Sequence, residues 1–225
     1  NFCRPNLLSA VSKAAHIMGE GEEYVYDSKP AVPAQVAWVS SKSAQKWMWI
    51  APWPEKEWQM ACWEDAKWTY VALQHAHIPV DTIDEVMIER NDLSRYKVMY
   101  ITASVLTRKA SQKLEEWVKN GGTLYTSAWG LRYDEAMQPN AVMQKMLGLE
   151  KRNNPETWRE IKLTSFMNVP GYDLYVDANY VEKDAQMKGT GLLAGQILTP
   201  LCGREVLSPR PGTEVVATFG DGKPA

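Results

Sequence analysis

Cysteine, histidine and phenylalanine are scarce in this 225-residue sequence, with three of each. Cys3, Cys62 and Cys202 are widely spaced and odd in number, so they cannot complete a disulfide framework. No CxxC or CxH spacing occurs, and no metal site is expected. Buried or free thiols are the expectation, which leaves the compartment open. His16, His75 and His77 all fall early in the chain, so a nucleophile that needs a late histidine cannot be assembled. His75 and His77 suit the end of a helix, where a cation meets the dipole. A surplus of one charge is also missing: 25 Lys and Arg face 27 Asp and Glu. That balance lacks the basic footprint of a nucleic-acid partner. No apolar run approaches the ~18–20 residues that span a bilayer. Neither GxGxxG nor a P-loop pattern is present, and no cofactor is expected. A secretory signal is absent from residues 1–10, and the chain begins with Asn1.

What is abundant is tryptophan. There are ten, and seven fall between Trp38 and Trp68. With 45% hydrophobic and 23% charged residues, the chain reads as globular. Its length fits one large domain, or one domain with an appendage.

Leu7, Leu8, Val11, Ala14, Ala15 and Met18 recur at helical spacing, and Gly19 and Gly21 are expected to end that helix. A connector with Pro30 and Pro33 follows. Gln35–Val39 is a short apolar run that predicts a buried strand, and Ser40–Ser43 its polar loop. Residues 44–54 show no clean period and predict a loop or short helix. The spacing of Trp58, Ala61, Cys62, Asp65, Thr69, Ala72, Leu73 and Ala76 predicts a long helix over 55–76. Pro79 stops it, and Val80–Ile83 is the second strand. A short irregular crossing is expected at 85–91, then a third strand at 97–102. Thr107 is a good N-cap for a helix over 108–119, closed by Asn120-Gly121-Gly122. A fourth strand at 123–126 and a short helix at 140–147 follow.

Strands and helices thus alternate over 34–126. The expected class is α/β, a doubly wound, flavodoxin-like parallel sheet with helices on both faces. Beyond Lys151 prolines interrupt the chain, and short alternating runs at 160–163, 174–176 and 205–207 suggest a β-rich insertion or extension over 151–212. Residues 213–219 are expected to return as a strand to the main sheet. Gly220–Ala225 resembles a hairpin turn with nothing after it to pair back. The chain therefore reads as a region cut from a longer one.

Ligands in such folds bind beyond the carboxyl ends of the strands. Ser40, Ser41, Lys42, Thr102, Ser104, Ser127 and Trp129 would build that edge. Ser-Ser-Lys-Ser at 40–43 lacks glycine and reads foremost as a solvated turn. Glu115-Glu116 reads as a solvated helix face. Asp134-Glu135 could face the same edge, but reads foremost as the charged start of a helix before Ala136. No opposed carboxylate pair of the glycosidase kind stands out. Trp47, Trp49 and Trp53 lie between a strand end and a helix start. Internal packing, a protein interface and stacking on a sugar ring all remain open for them.

Several words carry a family resemblance: Val36-Ala37-Trp38-Val39, Ala76-His77-Ile78-Pro79-Val80-Asp81 and Leu93–Val98. Leu114-Glu115-Glu116-Trp117-Val118-Lys119-Asn120-Gly121-Gly122-Thr123-Leu124, Met146–Leu149 and the closing Gly222-Lys223-Pro224-Ala225 belong with them. Together they resemble the middle, trimerisation domain of bacterial β-galactosidases of glycoside hydrolase family 42. The resemblance covers about half the chain.

It implies a class I glutamine amidotransferase-like fold over 34–225. It also implies that 1–33 are a helix and linker from a preceding barrel domain, the seat of the family's catalytic carboxylates. By position, Ser127-Ala128-Trp129-Gly130 would be the amidotransferase nucleophile elbow, with Ala128 where the cysteine belongs. The resemblance thus implies a non-catalytic accessory domain that assembles as a trimer or dimer. The alternative is a carbohydrate- or small-molecule-binding domain using Ser40, Ser41, Ser104 and the Trp47–Trp53 loop. A divergent enzyme with Ser127 or Ser104 as nucleophile is the third.

Overall fold

The computed structural model of the chain describes residues 5–26, 32–50, 55–157, 186–198 and 203–225. It separates into two compact units, Asn1–Pro33 and Ala34–Ala225. The first contains helix α1, Pro5–Val25. The helix passes through Gly19 and Gly21, and neither adopts a left-handed φ. Each interior glycine costs a helix about 1 kcal/mol relative to alanine. The flanking Met18, Glu20, Glu22 and Glu23 are good helix formers, and they carry it through to Val25.

The second unit is built on a four-stranded parallel sheet: β1 (Val36–Val39), β2 (Val80–Ile83), β3 (Val98–Tyr100) and β4 (Thr123–Tyr125). Their order is β2-β1-β3-β4. Val36 pairs in register with Val80 on one side and Val98 on the other, and Val98 pairs with Thr123. The chain therefore leaves β1 in one direction and returns to its other side, which makes the β1/β3 boundary the topological switch point.

Period-two alternation sorts the side chains of β1. Ala37 and Val39 join Ile83, Met99 and Ile101 in one buried core. That core is closed by Ile88 of α4 (Glu85–Arg90), by Ala110, Leu114 and Trp117 of α5 (Arg108–Lys119), and by Met143 of α6 (Ala141–Met146). Trp38 belongs to the other face, where its indole donates to the Ala66 carbonyl at 2.9 Å. Ala66 lies on α3 (Glu55–His75), which packs beside α2 (Lys42–Ile50). Thr107 caps α5 by accepting from the Ala110 amide. At its far end, a Cβ on Gly122 would lie 2.3 Å from the Trp117 ring, so close packing requires glycine there.

The segment expected to be a loop or short helix, and the one expected to be an irregular crossing, are both helices. Residues 42–50 form α2 because Ser41 supplies an N-cap, accepting from the Ala44 amide at 3.0 Å. Residues 85–90 form α4 because Asp84 caps it at the Met87 amide and Ile88 anchors it in the core.

After α6 the architecture becomes antiparallel. β5 (Leu149–Thr157) pairs with a later strand, Gly203–Pro209 (β8), through two register shifts. The expected run at 205–207 falls inside β8. The runs at 160–163 and 174–176 lie outside the described residues. β6 (Met187–Gly189), β7 (Ile197–Leu198) and β9 (Ala217–Phe219) form a third sheet in the order β7-β6-β9.

The expected return of 213–219 to the parallel sheet is therefore corrected: only 217–219 is strand, and it pairs with β6. Residues 210–213 are held elsewhere, because the Arg210 amide and the Thr213 hydroxyl both donate to the Gly148 carbonyl. The closing turn also pairs back, contrary to expectation. Phe219 donates to the Lys223 carbonyl, and Ala225 to the Ala217 carbonyl.

Candidate functional site

Two buried glutamates sit along the parallel sheet's carboxyl edge, one beyond the interior strand β1 and one beyond the edge strand β4. Beyond β1, Glu85 is 3% exposed and sits at the start of α2. Its Oε2 accepts from the Lys42 amide at 2.8 Å and its Oε1 from the Ser43 amide at 3.0 Å. The Ser41 hydroxyl lies 2.7 Å from both Glu85 Oε1 and the Val105 carbonyl. Free amides at a helix start attract an anion. Here the chain fills that place with its own carboxylate, and a ligand phosphate would have to displace it. Lys42 forms an ion pair with Asp84. That contact and the Coulomb attraction raise the lysine's pKa and lower that of the aspartate. Ser40 accepts from the Gln45 side chain at 3.0 Å.

Beyond β4, Glu205 of β8 is 3% exposed and gathers the segment that follows the strand. Its Oε1 accepts from Arg132 at 2.8 Å and from Arg152 Nε at 2.7 Å. Its Oε2 accepts from Arg152 at 2.5 Å and from the Trp129 amide at 2.7 Å. Arg152 also donates to the Gly130 carbonyl at 2.8 Å, and Arg132 stacks 4.1 Å over the Trp129 ring. Trp129 has φ 68, a left-handed conformation that is costly for a side chain of its size. A Cβ on Gly130 would fall 2.1 Å from Thr126 Oγ1, so the turn needs glycine at that point.

The four residues Ser127, Ala128, Trp129 and Gly130 thus form a tight turn tied to β8. The left-handed position falls at Trp129, one residue past Ala128. The Ser127 hydroxyl serves Asp65 of α3, whose carboxyl is pushed up by burial against that hydrogen bond. The Cys62 thiol of α3 lies 4.0 Å from the Ala128 carbonyl. Burial, reinforced by Asp65 and Glu205, drives the Cys62 pKa far up and keeps the thiol protonated. Ser104 is fully buried behind this edge, and its amide neighbour Tyr133 donates to its carbonyl at 2.9 Å.

Asp134 and Glu135 do not open a helix. Glu135 instead accepts from the Arg108 amide at the start of α5, at 2.8 Å. Asp134 is buried, pairs with Arg108 at 2.7 Å, and accepts from the Ala136 and Gln138 amides. Burial raises its pKa, but these partners together outweigh that and hold it below the usual carboxylate range.

The tryptophans divide. Trp47 is half-buried, its indole donating to the Glu135 carbonyl at 3.0 Å. Trp49 and Ile50 on α2 are 72% and 67% exposed, and Trp68 on α3 is 53% exposed. Trp53 and the Trp58 side chain lie outside the described residues. Sequence patterns pointed to neither Glu85 nor Glu205, because every partner that defines them is remote in the chain. Among the described residues, no group of three or more His, Cys, Asp or Glu side chains could hold a metal ion. Among the same residues, no helix is long and apolar enough to cross a membrane.

Residues 34–151, which contain the whole parallel sheet and α2 to α6, match the β-galactosidase trimerisation domain family. The chain belongs to that family. Its fold is similar to that of Gan42B, a GH42 beta-galactosidase from G. stearothermophilus, with TM-score 0.60, 18% identity, 86% of this chain covered and 25% of the other. It is likewise similar to the beta-galactosidase from Bacillus circulans sp. alkalophilus, with TM-score 0.58, 18% identity, and coverage of 85% and 26%. The cold-adapted beta-galactosidase from Rahnella sp. R3 gives TM-score 0.57, 18% identity, and coverage of 86% and 26%. The chain spans about a quarter of the length of these relatives. Curated proteins provide no match.

Proposed function

We propose that this chain is a non-catalytic accessory domain of a larger β-galactosidase-like glycoside hydrolase, and that it supports assembly into a trimer or dimer. Membership of the trimerisation-domain family over residues 34–151 carries this reading. The strand order β2-β1-β3-β4 supports a flavodoxin-like, amidotransferase-like architecture. In that setting residues 1–33 would be the helix and linker from a preceding barrel.

Residue chemistry favours the non-catalytic role. An amidotransferase elbow needs a thiolate nucleophile with a histidine partner. Ala128 occupies the position expected for the cysteine, and Cys62 is buried and protonated. Ser127 is engaged with Asp65, and no histidine follows His77. The exposed Trp49, Ile50 and Trp68 supply apolar surface of the kind that anchors protein interfaces.

Multi-angle light scattering on the purified chain tests the assembly role. A mass two or three times the 25.5 kDa of the chain is expected, and a monomer throughout would overturn it.

A further inference from the structure

The cleft between α2 and α3, beyond the end of β1, holds a cavity of about 320 Å³. Its walls include Trp38, Met48, Cys62, Ala66 and Tyr70. The Trp38 and Tyr70 rings stand 5.3 Å apart and tilted by 54°, so they form a corner rather than a closed stack. Small-molecule sites in open α/β folds favour this position, and volumes from ~300 Å³ upward are typical of them.

The wall that faces the cavity is overwhelmingly apolar, and several of the polar groups at its rim are already used. The Trp38 indole donates to the Ala66 carbonyl, and the Ser41 hydroxyl is held between Glu85 and Val105. Gln45 donates to Ser40. Against so apolar a wall a sugar would leave most of its hydroxyls unpaired, at a cost of ~1–3 kcal/mol for each buried group. An uncharged aromatic molecule carries no such penalty. An apolar protein cavity of ~150 Å³ accepts benzene, so about twice that volume suits two fused rings.

We propose that this cavity is a binding site for an uncharged, fused bicyclic aromatic small molecule. The site is distinct from the residues offered for assembly, because Trp49, Ile50 and Trp68 do not line it.

Thermal unfolding and ligand-observed NMR on the full chain test this, with indole as probe and galactose as the polar control. Saturating indole is expected to raise the midpoint by about 2–5 °C. It should also show magnetisation transfer from Met48 methyl protons. Galactose should do neither. Ala66→Leu, which fills the cavity from α3, should abolish the indole response. Ala44→Leu does the same from α2 and serves if the first variant fails to fold. A flat response to indole in the wild-type chain would overturn the proposal. So would an equal response to galactose, or indole binding that persists when the cavity is filled.

Discussion

Glu85 and Glu205 are buried to the same extent, yet they close the sheet edge beyond β1 and beyond β4 by different electrostatics. Glu85 faces backbone amides at the start of α2 and the Ser41 hydroxyl. Its charge is met by dipoles, and the result is a capped helix. Glu205 faces two guanidiniums and one amide. Its charge is met by opposite charge, and the result is a clamp joining β8, β5 and the turn after β4. A dipole-satisfied carboxylate leaves neutral partners behind when removed. A carboxylate paired with two arginines leaves uncompensated buried cations.

Substitution separates the two cases. Glu205→Ala should be the most damaging, because Arg132 and Arg152 side chains are only 13% and 6% exposed. Breaking such a pair costs about 3–5 kcal/mol. Urea unfolding should show that loss, and near-UV circular dichroism should change as Trp129 loses its tether. Replacing Glu205, Arg132 and Arg152 together with Leu, Met and Leu should recover most of the lost stability.

Glu85→Ala should cost less, about 1.5–3 kcal/mol by the same urea measurement, since it removes charge-assisted hydrogen bonds without stranding a cation. It also reopens the amides of Lys42 and Ser43. Added sulfate should therefore restabilise Glu85→Ala more than the wild type, whereas Glu205→Ala should show no such specific gain. Equal losses in the two variants would erase the distinction.

The smallest effect concerns Asp221. A hydrogen bond from Arg204, aided by the Lys223 amide, holds its carboxyl at about 2. The folded pKa lies below the ordinary aspartate value of 3.8, so this contribution is fully present above about pH 4. It is lost as pH falls through about 2. Asp221→Asn should therefore narrow the stability difference between pH 5 and pH 2 slightly, in acid-unfolding curves at low salt. A wider difference would contradict the pairing.

Much of the parallel sheet was legible because its signals are local. Apolar runs marked β1 and β2, and the Thr107 cap with Asn120-Gly121 marked α5 at both ends. The α4 signal was also local, an Asp84 cap before an acidic start and the basic Arg90, but six residues are too few for periodicity to register. The antiparallel layers were less legible, since Pro and register shifts break the alternation of β5 and β8. The edge itself was hardest to read. Ser41 and Ser127 were singled out as surface chemistry, yet their partners are Glu85 and Asp65, which no spacing connects to them. Trp47 finds its acceptor 88 residues away. Trp49, by contrast, has an exposed side chain on α2, which sets aside internal packing for it.

The assembly role is tested most directly by sedimentation equilibrium of the chain over a wide concentration range, beside the Trp49→Ala, Trp68→Ala double variant. The wild type should fit a reversible monomer–oligomer equilibrium. The double variant should dissociate at concentrations at least about tenfold higher, as loss of interface hot spots implies. A wild-type chain that stays monomeric at every concentration, or a double variant that assembles as tightly as the wild type, would contradict the account.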